Sequence, residues 1–181
     1  MSELIEFNLN GAWITLSEQW CDVTEEFPVE LRERDTRLML QREDSLGNGT
    51  LDLKVVKWKY RLKPGNLRGL LMEMCEVITK GKPFDYFERR VPTMICAASV
   101  DDENVFTRIW YCSNGPQLAH VAYLYEGTPD PAVLAEIQQM VTRIRFGKCE
   151  DEEHEEESRK LSGDRPDDET TPGENAPFGK N

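Results

Sequence analysis

Two segments of this chain repeat apolar residues at a helical interval, and they constrain the fold more than any other feature. Leu67, Leu70, Leu71, Met74, Cys75 and Ile78 form one stripe; Val133, Leu134, Ile137, Met140, Val141 and Ile144 form the other. Each reads as an amphipathic helix with a single face to bury. Pro64-Gly65-Asn66 opens the first, with Asn66 as its N-cap, and Gly81 and Pro83 stop it. Asp130 caps the second and Pro131 suits its first helical position. Arg143 and Arg145 then fall in its last turns, where positive charge favours the helix dipole, and Gly147 ends it. The predicted helices cover about 66–80 and 131–145.

Nearly everything else between residues 4 and 146 reads as short strands. Leu4–Leu9 and Ala12–Leu16 flank Gly11, and Thr36–Arg42 places Leu38 and Leu40 on one face. Between these lies the charged, irregular stretch Glu18–Arg34, with Trp20, Phe27 and Pro28 as anchors. Gly47-Asn48-Gly49 tolerates positive φ and predicts a hairpin into a strand over Leu51–Leu62. The alternation slips within that strand. Leu51, Leu53 and Val55 share one face, whereas Val56, Trp58, Tyr60 and Leu62 share the other, which suggests a β-bulge near Val55-Val56. Further strands follow in Phe84–Arg90, Thr93–Val100, Asn104–Cys112 and Gln117–Tyr125, with a hairpin turn at Ser113-Asn114-Gly115 and a looser one at Asp101–Asn104. The expected class is α+β: an antiparallel sheet of about six or seven strands, with the two helices covering it on one face or one on each.

The domain is expected to span residues 1–147 and to be followed by a disordered acidic tail, residues 148–181. The tail holds 12 acids and 5 bases, more than half of the formal net charge of −12. Its apolar content is too low to offset the entropy of ordering it. An acidic chain is a poor match for nucleic acid or an anionic membrane, so neither is expected as a partner. No stretch approaches the length of a membrane helix, and Glu3 and Glu6 occupy places where a signal peptide would be basic or apolar. The five cysteines are odd in number and widely spaced. They read as small apolar residues of a reducing compartment, and the expected location is cytoplasmic.

Several packing residues resemble those of the PsbP-like superfamily. They are Phe7 to Leu16 with Trp13 and Trp20, Phe106-x-x-x-Trp110-Tyr111, Ala119-x-Val121-x-Tyr123, and the closing Ile137-x-x-Met140-Val141-x-x-Ile144-x-Phe146. The superfamily includes the PsbP proteins of photosystem II, a eukaryotic Ran-release factor, the bacterial DcrB lipoproteins and the Eag chaperones of type VI secretion effectors. The resemblance covers about residues 4–146 and implies a domain that works by binding another protein. The family shares no active site, so no functional residue is carried over. The acidic tail departs from its pattern.

Chemistry-bearing residues are sparse. His120 is the one histidine of residues 1–147, and no Cys/His spacing matches a zinc site. No Gly-x-Ser-x-Gly elbow or phosphate-cradling glycine loop is present. Cys112 could face His120 across a hairpin, the one arrangement that would suit a nucleophile and base. The most unusual local feature is basic: Lys57, Lys59, Arg61 and Lys63 alternate along one strand face, with Arg68 following. Like charges so placed repel. They read as a solvated or edge-protecting face, as a dock for the chain's own acidic tail, or as a site for an acidic partner or phosphate-bearing ligand. Tyr86-Phe87 and Tyr123 to Tyr125 are candidate interface aromatics, although such residues also build cores.

These observations favour a non-enzymatic protein-binding domain without cofactor or metal. Its expected form is a bacterial cytoplasmic immunity protein or adaptor chaperone for a secreted, type VI-like toxin or effector. Acidity would steer an immunity protein onto a basic toxin, whereas a chaperone needs an apolar groove for its effector. The alternatives are a housekeeping interaction domain, a small-ligand binder, or a weak enzyme using Cys112 and His120. A homodimer is compatible with all of these.

Overall fold

The computed structural model describes residues 4–28, 36–42, 49–58, 64–84, 86–89, 93–102 and 104–147. Among them the order is β1 (Leu4–Leu9), β2 (Ala12–Ser17), β3 (Trp20–Asp22), a 3-10 turn (Thr24–Glu26), β4 (Arg37–Arg42), β5 (Thr50–Lys57) and α1 (Pro64–Thr79). Then come β6 (Tyr86–Arg89), β7 (Met94–Asp102), β8 (Val105–Ser113), β9 (Gln117–Glu126), α2 (Pro131–Arg143) and β10 (Arg145–Phe146). The expected class, an antiparallel α+β domain with two helices, is the one observed. The expectation of one sheet is corrected. A seven-stranded sheet runs β3-β4-β5-β9-β8-β7-β6, and β1-β2-β10 forms a separate three-stranded sheet. The acidic stretch 148–181 and the turn at Gly47-Asn48 lie outside the described residues.

The large sheet is buried on both faces, one helix to each. On one face, Leu40, Leu51, Leu53, Val55, Trp110, Val121 and Tyr123 pack with Val133, Ile137, Met140 and Val141 of α2 and with Ala12, Ile14 and Leu16 of β2. On the other, Met94, Cys96, Ala98, Ile109, Tyr111, Leu118 and Ala122 pack with Leu67, Leu71 and Cys75 of α1. This double burial removes the predicted bulge. β5 pairs with β9 without interruption, from Thr50 opposite Leu124 to Lys57 opposite Gln117. Leu51, Leu53 and Val55 face the α2 side, and Val56 and Trp58 pack on the α1 side. Strict alternation is kept, and the slip arises because a strand buried twice carries apolar residues at both parities.

α1 starts at Pro64, so Asn66 lies in its first turn, exposed, and is not the cap. Its end is a left-handed reversal. Lys80 has φ 53 and Gly81 φ 79; the Gly81 N–H donates to the Glu76 carbonyl at 2.9 Å and Lys80 N–H to that of Val77 at 3.4 Å. That pattern satisfies carbonyls which the last turn leaves open. α2 begins as predicted, with Asp130 accepting from the Ala132 N–H at 2.7 Å and Pro131 in the first turn. It ends at Arg143 rather than 145. Ile144 turns extended (ψ 126), and Arg145 and Phe146 add to β2 opposite Trp13 and Ala12. The Gly147 N–H donates to the Gly11 carbonyl at 2.8 Å, so Gly147 closes a strand, not a helix. The β7–β8 connection is also tighter than expected, with Asp102 directly opposite Val105 and Asn104 at φ 70.

The β1–β2 ribbon turns at Asn10 (φ 47) and Gly11 (φ 83), the two positive angles of a type I′ turn. The turn is anchored to the large sheet: Asn10 Nδ2 donates to the Val55 carbonyl at 3.0 Å, and Gln117 Nε2 donates to the Asn10 carbonyl at 3.1 Å. At the ribbon's other end, Glu136 of α2 accepts from Ser17 Oγ (2.6 Å), Trp20 Nε1 (3.0 Å) and Arg42 Nη1 (2.7 Å).

Trp110 is fully buried and its Nε1 donates to Gln138 Oε1 at 2.8 Å. Trp110→Ala is expected to lower stability by about 3–5 kcal/mol in urea unfolding, because it opens a cavity and orphans an acceptor. Val77→Ser, at 74% exposure on the outer side of α1, is expected to change it by less than about 0.5 kcal/mol.

Candidate functional site

The β8–β9 register decides the fate of the cysteine–histidine pair. Cys112 lies opposite Ala119, and Tyr111 lies opposite His120. Cys112 is fully buried on the α2 side, its thiol 3.8 Å from the Val141 carbonyl. His120 projects from the other face and stacks on the Tyr111 ring, centroids 5.2 Å apart. The sheet therefore stands between sulfur and imidazole, which removes the Cys112–His120 enzyme. Adjacency in a hairpin is not enough; the side chains must also share parity.

His120 has a charged neighbourhood on that second face. Arg37 grips Asp52 through Nε (2.8 Å) and Nη2 (2.6 Å), and Lys54 lies directly opposite His120 across β5 and β9. Burial holds the His120 pKa below the ordinary histidine value; Asp52 pulls it up, and Arg37 and Lys54 push it down. The result is a neutral ring that packs on Tyr111. Among the described residues, no group of three or more His, Cys, Asp or Glu is placed to hold a metal ion.

Of the predicted basic face, only Lys57 falls within the described residues. It is exposed at the last position of β5, opposite Gln117. Lys59, Arg61 and Lys63, and the predicted continuation of the strand to Leu62, lie outside them. Of the two readings of the Tyr123 aromatics, core and interface, the structure gives the core for Tyr123. Tyr123 is 1% exposed, edge-on to Trp20 with centroids 6.4 Å apart, and burial pushes its hydroxyl pKa up to about 12.

The clefts of the described surface include two beside its elements. One of about 80 Å³ lies between Leu4, Thr15 and Ser17 of the ribbon and Glu136, Gln139 and Arg143 of α2. The other, about 190 Å³, is lined by Thr79, Lys80, Lys82, Ser99 and Asp101. Both are smaller than the roughly 300–1,000 Å³ typical of small-ligand pockets.

The ribbon itself presents a more informative surface. Ala12, Ile14 and Leu16 of β2 are buried, but Trp13 between them is 40% exposed. Leu4 and Ile5 point to opposite faces of β1, yet are 56% and 40% exposed, because the strand overhangs the core at this end. β1 pairs only with β2 among the described residues, and within them its outer edge has no ladder partner. Glu6 ion-pairs with Arg145 of β10 across β2 on the face that carries Leu4 and Trp13, whereas Ile5 lies on the other face of the ribbon, opposite Leu16. Exposed apolar side chains beside an open strand edge suit the addition of a partner segment, through main-chain hydrogen bonds and side-chain burial together. Sequence reasoning had Trp13 as a packing residue. The alternation of β2 contained the signal, since Trp13 is out of phase with Ala12, Ile14 and Leu16.

No family model matches the chain, and no curated protein matches it. Among solved structures, it is similar to the solution structure of cyanobacterial PsbP (CyanoP) from Synechocystis sp. PCC 6803, with a TM-score of 0.51 and 8% sequence identity. The match covers 81% of this chain and 94% of that one. The fold is therefore PsbP-like. The likeness reaches the fold and does not extend to a branch such as the DcrB lipoproteins or the effector chaperones.

The depressed pKa of His120 sets a pH dependence. The unfolded chain takes up a proton at His120 at higher pH than the folded chain does, so this residue's contribution is present at pH 7. It is lost as pH falls through the ordinary histidine value toward the folded one. The drop in urea midpoint between pH 7 and pH 5 is expected to be smaller in His120→Gln than in the unaltered chain.

Proposed function

We propose that this chain is a non-enzymatic protein-binding domain that docks its partner on the β1–β2 ribbon. The observation that carries the reading is the start of β1, where Leu4 and Ile5 are exposed on opposite faces of a strand whose outer edge has no ladder partner among the described residues. The chemistry around it supports the same conclusion. Cys112 and His120 are separated by the sheet. The partner that fits is an extended apolar segment, which would continue the β1 ladder and bury Leu4 and Ile5.

In its finer form, the proposal is an adaptor chaperone for a secreted, type VI-like effector, acting in the cytoplasm. An apolar ribbon favours this over an immunity protein, which would meet a basic toxin through an acidic face. No described helix is long and apolar enough to cross a membrane, in keeping with a diffusible adaptor.

Affinity capture of the tagged full chain from its native cell tests the reading. One stoichiometric partner that carries an effector or toxin domain is expected. Leu4→Asp and Ile5→Asp should each reduce its recovery at least tenfold while leaving the melting temperature within a few degrees, since both side chains are substantially exposed. Recovery of the chain alone would sink the reading. A partner retained at full yield by both variants would move docking to another surface.

A further inference from the structure

The cysteines of α1 and β7 meet inside the second core. Cys75 Sγ and Cys96 Sγ lie 3.2 Å apart, within thiol–thiol hydrogen-bond distance, and both side chains are fully buried. Nothing in the sequence spacing suggests this contact, because 21 positions separate the two. The other described cysteines are elsewhere: Cys112 packs on the opposite face of the sheet, and Cys21 sits in β3. Among described residues, then, the fold offers one intramolecular thiol pair.

We propose that Cys75 and Cys96 form a reversible disulfide that fastens α1 to β7, made by exchange with a low-molecular-weight disulfide such as oxidised glutathione. The sulfurs need to approach by only about 1 Å to reach the S–S bond length of about 2.05 Å. Cys96 is the group suited to react first. Its pKa is held below the ordinary thiol value chiefly by the hydrogen bond from Cys75, then by the Ala97 backbone N–H and the Arg68 charge, with burial opposing. Cys75 is pushed up by that same hydrogen bond and by burial. The Cys96 thiolate attacks one sulfur of the glutathione disulfide and expels a glutathione thiolate, which takes up a proton. Cys75 then gives up its proton, attacks Cys96 Sγ and expels the second glutathione. The protein's two thiols lose two electrons and two protons, and one glutathione disulfide becomes two glutathione thiols. Burial means that exchange proceeds when α1 opens locally, or during folding before α1 has docked. Reduction reverses the sequence.

The bond would close a loop within the chain and restrict the unfolded state. Full-length chain refolded in oxidised glutathione, then denatured and alkylated, is expected to show a Cys75–Cys96 cross-linked peptide, with Cys21, Cys112 and Cys149 alkylated. Its melting temperature should exceed that of the reduced chain by about 5–10 °C. Cys112→Ser should keep both the cross-link and the shift, and Cys96→Ser should lose both. Alkylation of Cys75 and Cys96 in the oxidised, unaltered chain would overturn the proposal. So would glutathione retained on Cys96, a different pairing, or a cross-link without a rise in melting temperature.

Discussion

Burial of one sheet on both faces is the constraint on which the rest of this structure depends. β5, β9 and β8 carry apolar side chains at both parities, and each face must be covered by something amphipathic. The chain has two such helices, so each face receives one. The α2 face is the larger, and α2 alone does not cover it. The β1–β2 ribbon supplies Ala12, Ile14 and Leu16 to complete the cover. At about 1.5–3 kcal/mol for each large side chain fully buried, this cluster is a dominant stabilising element. The ribbon is therefore a structural part of the core on one side, and on the other it carries the 40% exposed Trp13.

Polar contacts fix the ribbon in place. At its turn, Asn10 and Gln117 exchange hydrogen bonds with the main chain of the neighbouring element, and Gly147 closes on Gly11. At its far end, one carboxylate of α2 gathers Ser17, Trp20 and Arg42, with Arg42 also 5.9 Å over the Trp20 ring. A half-buried carboxylate is costly without partners, and here each of its oxygens has at least one. A ribbon held at both ends presents Trp13 on a rigid base, which lowers the ordering entropy of any association made there.

Periodicity made the helices legible in the sequence, and turn chemistry made most strands legible. Leu67 to Ile78 and Val133 to Ile144 needed only their spacing, and Asp130-Pro131 was enough to place one helix start. What remained hidden was whatever depends on parity between distant strands. The bulge at Val55-Val56 followed from assuming one buried face. Cys112 and His120 were placed in neighbouring strands, but the register, one residue off what the pair needs, sent them to opposite sides. β3 and β10 have three and two residues, too few to show an alternation. The Cys75–Cys96 contact joins a helix to a strand and has no local signature. The exposure of Trp13 was legible in the alternation of β2, but its strand partner Arg145-Phe146 was not, because that pair read as helix.

The placement of β9 has a consequence for how the chain is made. β9 is the last long strand to leave the ribosome, yet it occupies the interior of the sheet, between β5 and β8. Until Gln117–Glu126 has been synthesised, β3-β4-β5 and β6-β7-β8 are two separate meanders, each with a long unpaired edge facing the gap. On the β5 edge the alternation places Asp52 and Lys54 among Leu51, Leu53 and Val55, so charges interrupt what would otherwise be an adhesive apolar strand. The same two residues that sit beside His120 in the finished protein thus guard the nascent one while it waits for its central strand.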